Sequence, residues 1–294
     1  MSKAIGNGLF FEYETFGSKD DAAIVLIAGL GFQLIDWPVT FCETLANAGL
    51  FVVRYDNRDI GLSQKLEESG LPDLSSIAER LKSGETPQIP YSLEDMAADL
   101  IGLLDAISLK SVHVAGMSMG GMIAQLIAIH HRDRVLSLTS MMSSTSDPSL
   151  PPPSAKAAAV LMSAPASDEL AAIVAYGLEV NDVIGSPGFR WDRAALKAHI
   201  VDCVRRNYCP GGYMRQYAAV EAAQSRVTML PSITAPTLVI HGREDHLIAP
   251  EAGEETARLI PGASLELIEG MGHDLSPALC EHLAGLILSH VLAH

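Results

Sequence analysis

The sequence predicts an α/β chain built on a doubly wound, mostly parallel sheet with an inserted helical cap. Three observations carry this reading. Short apolar runs recur along the chain with helical patterns between them. A glycine-flanked serine, Gly116-Met117-Ser118-Met119-Gly120, joins a β-like run to a helical one. One long stretch, residues 146–231, breaks the alternation. Continuous apolar runs suit strands buried on both faces of a parallel sheet. Strands that alternate with helices need crossovers, which cover both faces and gather the loops at the strands' C-terminal edge.

The elements follow in order. Asn7-Gly8 is a hairpin-turn dipeptide ahead of Leu9 to Glu14, where aromatic residues partly alternate with charges as on a half-exposed strand. Ala23 to Ala28 is the first buried run and ends in Gly29-Leu30-Gly31. Phe51 to Tyr55, Val112 to Ala115, Val135 to Thr139 and Thr237 to Ile240 repeat it, and Leu265 to Ile268 is a weaker copy. The clearest helix starts at the N-cap Ser92, has Asp95 three residues on, and carries Met96, Ala97, Leu100, Ile101, Leu104 and Ile107 at helical spacing. Leu62 to Pro90 holds a short helix at Leu74 to Lys82. The interruption at 146–231 opens with Pro151-Pro152-Pro153 and continues as helical stretches rich in alanine, methionine and aromatic residues. The expected organisation is a core of residues 1–145 and 232–294 with a helical cap at 146–231.

A chain of 294 residues, 48% hydrophobic and 19% charged, can bury a large sheet and lacks the composition of disorder. Its formal charge of −15 opposes binding to nucleic acid or anionic membranes. Cys42, Cys203, Cys209 and Cys280 are scattered, with no C-x-x-C pair and no companion histidine at zinc spacing, and read as reduced thiols. The start of the chain has no basic segment followed by an apolar core, and no run reaches membrane-spanning length, so cytoplasmic residence is expected.

A serine hydroxyl becomes a useful nucleophile on a sharp strand-to-helix turn, where a histidine reaches it and helix-end N–H groups face its target. Ser118 fits that position. Of ten histidines, His130 and His131 lie at a helix end, His113 within a strand, and His282, His290 and His294 in the last helical segment. His273 follows Gly270-Met271-Gly272 after the last strand-like run, on the sheet edge that holds Ser118, and is the expected base. Asp245 follows the strand Thr237 to Ile240 on the same edge and is the expected acid. Glu244, with Arg243 as a surface partner, and Asp147 are its rivals. Acyl transfer also needs two backbone N–H groups aimed at the developing oxyanion. Met119, after the nucleophile, and Leu30, in the loop after the first buried strand, are the expected donors. Met117, Met119, Met122, Met141, Met142, Met162 and Met271 cluster near the site loops as pocket lining or core filling. Trp191, Tyr208 and Tyr213 are candidate pocket walls.

These residues resemble the α/β-hydrolase superfamily over nearly the whole chain, by Ser118, Asp245, His273 and their order. Arg54-Tyr55-Asp56-Asn57-Arg58-Asp59-Ile60-Gly61-Leu62-Ser63 is similar to the family's D-x-R-G-x-G-x-S segment, in the form of bacterial esterases related to aclacinomycin methylesterase. Asp59 stands there in place of the usual glycine, and Ala28 stands where many relatives have histidine. The segment reads as a turn former and not as a catalytic element. The resemblance implies a serine carboxylesterase working through an acyl-enzyme, with a small-molecule ester as its partner and neither metal nor organic cofactor required. Carbon–carbon bond hydrolysis or perhydrolysis by the same triad is the alternative enzyme reading. A ligand receptor on a hydrolase fold is the non-catalytic one.

Overall fold

The computed structural model describes residues 1–294. Its chain runs β1 (Ser2–Gly6), β2 (Leu9–Phe16), β3 (Ala22–Ile27), α1 (Val39–Asn47), β4 (Leu50–Tyr55), α2 (Leu74–Lys82), α3 (Leu93–Ala106), β5 (Val112–Met117) and α4 (Met119–His130). It continues through β6 (Val135–Met141), α5 (Ala155–Leu161), α6 (Leu170–Ile184), α7 (Arg193–Arg206) and α8 (Pro210–Glu221). β7 (Thr237–Gly242), α9 (Pro250–Leu259), β8 (Ser264–Ile268) and α10 (Pro277–Val291) complete it. All eight strands form one sheet in the order β1-β2-β4-β3-β5-β6-β7-β8. The β1–β2 and β2–β4 pairs are antiparallel and every other pair is parallel. The predicted fold class is thus the one observed.

Local sequence explains these elements. Asn7 and Gly8 turn the β1–β2 hairpin with φ of 48° and 78°, the left-handed pair that a two-residue loop needs. Ser92 caps α3 reciprocally with Asp95: its Oγ accepts the Asp95 N–H at 3.2 Å and the Asp95 carboxylate accepts the Ser92 N–H at 2.8 Å. Successive residues of the central strands serve opposite faces of the sheet. Val25, Ile27, Val53 and Val114 pack with the apolar faces of α3 and α4, while Ile24, Leu26, Val52 and Ala115 pack with α1 and α10. β8 is the weak copy because it is an edge strand, with Ser264 and Glu266 exposed.

Two boundaries differ from the sequence reading. β5 runs on to Met117 and α4 begins at Met119, so the turn between them is a single residue, Ser118. The helical pattern begins visibly only at Gly121 because the preceding positions also belong to the turn. Helices α5 to α8 all fall between β6 and β7. No helix is long and apolar enough to cross a membrane.

Candidate active site

Ser118 stands where strand becomes helix with φ 54° and ψ −122°, outside every conformation that a serine adopts without strain. Neighbouring contacts hold it there. Its N–H donates to Met141 O at 2.9 Å, and its carbonyl accepts Ser143 Oγ–H at 2.8 Å. The turn closes only around glycine: a Cβ at Gly116 would stand 2.1 Å from Gly120 O, and one at Gly120 would stand 2.3 Å from Ile27 O. The spacing of the motif therefore reflects close approach of β5, α4 and β3.

The structure brings His273 and Asp245 to this serine. His273 Nε2 lies 3.0 Å from Ser118 Oγ, and His273 Nδ1 lies 2.7 Å from Asp245 Oδ2. The carboxylate fixes the tautomer, because Nδ1 must carry the proton that it donates and Nε2 is left with a lone pair toward the serine. The other oxygen, Asp245 Oδ1, accepts the N–H groups of Leu247 and Ile248, both at 2.9 Å. Burial alone would raise the Asp245 carboxyl. The charges and hydrogen bonds of His273 and His241 outweigh it and hold the group well below the usual carboxylate range. Glu244 is turned elsewhere, its Oε2 accepting the Gly270 N–H at 2.6 Å, and Asp147 caps its own turn through the Ser149 N–H. The surface partnership expected between Glu244 and Arg243 is absent: Arg243 pairs with Glu269 at 2.6 Å.

Several supporting residues were not singled out from the sequence. His241 is fully buried under Asp245, its Nε2–H donating to Ile248 O at 2.9 Å and standing 3.4 Å from Asp245 Oδ2. Asp274 ties the histidine loop to the end of α6, accepting the Ser186 N–H at 3.0 Å and the Asn181 Nδ2–H at 2.8 Å. The His273 N–H donates to Ile184 O at 2.7 Å in the same junction. Burial raises the Asp274 carboxyl, partly offset by its Ser186 and Asn181 donors. The only sequence signal for Asp274 is its adjacency to His273.

The loop after β3 is held from both sides. Ala28 O accepts Asn57 Nδ2–H at 3.1 Å, and the Gly31 N–H donates to Gln216 Oε1 on α8 at 2.9 Å. Between these anchors the Leu30 N–H meets no protein acceptor, and neither does the Met119 N–H at the start of α4. Both expected donors are therefore free for a ligand oxygen. The segment 54–63 does more than turn the chain. Asp56 accepts the Leu34 N–H at 2.7 Å and pairs with Arg206 of α7 at 2.7 Å, while Asp59 grips Arg215 of α8 through two contacts of 2.8 Å. Asp59 has φ 69°, the left-handed region that favours glycine, so the usual glycine and this aspartate satisfy the same backbone.

Ser118 and His273 open into a cavity of about 530 Å³. Met117, Met119, Met122 and Met142 line it, whereas Met141 and Met271 belong to the buried core. A second cavity of about 490 Å³ lies beyond a wall of Leu161, Tyr176, Tyr213 and Tyr217, which both cavities share. Of the expected wall residues, Tyr213 faces both cavities and Tyr208 and Met162 face only the second. Trp191 lines a separate cavity of about 260 Å³ that also reaches His273 and Asp274.

Comparison with known proteins agrees with this architecture. Rhodomycin D methylesterase DauP of Streptomyces sp. strain C5 is 30% identical, covering 95% of this chain and 94% of its own. The 3-oxoadipate enol-lactonase 2 of Acinetobacter baylyi is 26% identical, covering 87% of this chain and 84% of its own. Among solved structures, the enol-lactonase from Burkholderia xenovorans LB400 superposes with a TM-score of 0.76 at 23% identity, all of each chain being covered. The family described as serine aminopeptidase, S33, matches residues 18–277. With that match spanning most of the sequence, and with the sheet and crossovers described above, the chain belongs to this family and to the α/β-hydrolase superfamily.

Proposed function

We propose that this protein is a serine carboxylesterase in which Ser118 is the nucleophile, His273 the general base and acid, and Asp245 the acid that orients it. One observation carries the proposal: an unbroken relay from Asp245 Oδ2 to His273 Nδ1 at 2.7 Å and from His273 Nε2 to Ser118 Oγ at 3.0 Å. His273 takes the Ser118 proton as Oγ adds to the ester carbonyl. The free N–H groups of Leu30 and Met119 receive the oxyanion, and collapse expels the alcohol with the proton from His273. Water activated by His273 then attacks the acyl-enzyme, and the acid leaves with Ser118 restored. No step calls for a metal or organic cofactor.

Residues 146–231 act as a cap in this reading. Their helices supply Tyr176, Tyr213 and Tyr217 to the wall of the cavity above Ser118. A mostly apolar chamber of about 530 Å³ suits a small-molecule ester with an apolar acyl part, and the likeness to a methylesterase favours a small alcohol as leaving group. Carbon–carbon hydrolysis or perhydrolysis would use the same three residues. A receptor would bind the ester and release it intact.

Turnover of p-nitrophenyl and methyl esters by purified protein separates these readings. Ser118→Ala is expected to fold and to lose on the order of 10⁴-fold or more in kcat. An organophosphonate should label wild-type protein at Ser118 alone. Near-native activity in the folded variant, or ester binding without turnover, overturns the assignment.

A further inference from the structure

A second constellation lies away from Ser118, where α7 meets the short helical turn Leu34–Asp36. His199 and Cys203 stand one turn apart on α7, and Asp36 faces them from the core. His199 Nε2 is 2.8 Å from Asp36 Oδ1, Cys203 Sγ is 3.8 Å from the same oxygen, and Cys203 Sγ is 3.6 Å from His199 Nε2. The sequence offered no companion histidine for any cysteine by zinc-finger spacing. The His-x-x-x-Cys pair becomes visible only once residues 193–206 are a helix, and its third member is 163 residues from His199 in sequence.

We propose that Asp36, His199 and Cys203 form a binding site for a zinc-class divalent cation that pins α7 to the core. Zinc takes imidazole nitrogen, thiolate and carboxylate at ~2.0–2.3 Å, which puts tetrahedral ligand atoms about 3.3–3.8 Å apart. Two of the three separations already lie in that range, and the third needs only the opening of one hydrogen bond. The carboxylate is oriented in advance: Asp36 Oδ2 accepts the Gln33 N–H at 2.7 Å, which leaves Oδ1 toward the other two groups. His199 is steadied by Trp191, whose ring stacks on it at 5.6 Å between centroids. Such outer contacts fix ligand geometry in metal sites. Asp36 and His199 line the cavity of about 260 Å³ and Cys203 lines the one of about 490 Å³, so the cluster lies between two cavities.

Charge balance points the same way. A divalent ion bound here would take Cys203 as its thiolate and be balanced by that charge and the Asp36 carboxylate. Binding breaks the S–H bond, releases that proton to solvent and forms the S–metal bond. The site lies six residues beyond Leu30 in the chain and on the inserted helix that carries Arg206, so occupancy would stiffen the junction between α7 and the β3 loop.

The test uses untagged, chelator-treated protein titrated with Co²⁺, a spectroscopic stand-in for Zn²⁺. Expected are saturation at one ion per chain, a thiolate-to-cobalt charge-transfer band in the near ultraviolet, and loss of that band when Zn²⁺ is added. Cys203→Ser should abolish the band while Cys209→Ser retains it. Asp36→Asn and His199→Gln should weaken binding by about 10–100-fold or more, at least what the loss of an outer partner does elsewhere. Circular dichroism shows that each variant is folded, and Cys203→Ala replaces the serine variant if it is not. Zn²⁺ should also raise the melting temperature of wild type but not of the Cys203 variant. Absence of the band at saturating Co²⁺ overturns the proposal. So does a band that survives in Cys203→Ser. These readouts do not depend on ester turnover, so they stand or fall separately from the role of Ser118.

Discussion

Ser118 sits in a conformation, φ 54° and ψ −122°, that L residues with a Cβ adopt at about 1–3 kcal/mol. The strain is useful because it lifts Oγ out of the sheet edge toward His273 while the next N–H stays at the helix start. It also predicts a trade between stability and activity. Ser118→Gly removes the Cβ that makes the conformation costly, against about 0.5–1 kcal/mol of added chain entropy, so it should melt no lower than Ser118→Ala and be equally inactive. A glycine variant clearly less stable than the alanine one would show that the turn is unstrained. At the acid position, Asp245→Asn leaves the carbonyl oxygen to accept from Leu247 and Ile248 but presents His273 with a neutral group. Loss of kcat on the order of 10⁴-fold with a smaller change in KM is expected. Glu244→Gln keeps an acceptor for the Gly270 N–H and should change little. Kinetics of the two variants side by side decide which carboxylate serves the histidine; the reverse pattern would move the acid role to Glu244.

At the scale of elements, two buried ion pairs fasten the inserted helices to the core, Asp56 with Arg206 on α7 and Asp59 with Arg215 on α8. Burial would raise the Asp59 carboxyl, but hydrogen bonds from Arg215 and the Leu66 N–H bring it below its ordinary value. The folded group therefore binds its proton less tightly than the unfolded one, whose pKa is about 3.9. Its contribution is complete above that pH and disappears as pH falls through the lower folded value. Asp59→Asn should thus lower stability at neutral pH by on the order of 3 kcal/mol, since Arg215 stays buried without its counter-charge. The difference in melting temperature from wild type should close as pH drops below about 4; a gap independent of pH would assign the effect to packing. Elements of this kind mark the border of what the sequence discloses. Strands β3 to β7 were legible because they are buried in the sheet and read as mostly apolar runs, and α3 because Ser92 and Asp95 announce its start. The single-residue turn at Ser118 and the partners Gln216, Asn57, Arg206, Arg215 and Asp274 were not. A polar side chain pointing to a partner 29 to 185 residues away leaves no local period. The same applies to Asp36, whose role depends on a helix distant in sequence.

For the molecule as a whole, the question is what separates the chamber at Ser118 from the second cavity beside it. Tyr213 of α8 stands in both linings, stacked on Tyr217 at 6.4 Å between centroids and 12° between planes. It lies so close to the β3 loop that a Cβ on Gly31 would be 2.7 Å from its Cδ2. With Leu161, Tyr176 and Tyr217, its ring forms the wall that both cavities share. Tyr213→Ala should join cavities of about 530 and 490 Å³ and nearly double the room for an acyl chain. The ratio of kcat/KM for long or bulky p-nitrophenyl esters to that for the acetate should then rise by about 10-fold or more, the scale at which apolar pockets discriminate. Tyr213→Phe keeps the ring and should keep the wild-type ranking. If the tyrosine only packs α8, both variants would retain that ranking and the alanine variant would simply melt earlier, by the loss that a large-to-small change in a packed site brings. Measuring ester preference and melting temperature on the same three proteins separates a partition that sets substrate size from ordinary helix packing. An unchanged ranking in a destabilised alanine variant would remove the inserted helices from the specificity of the enzyme.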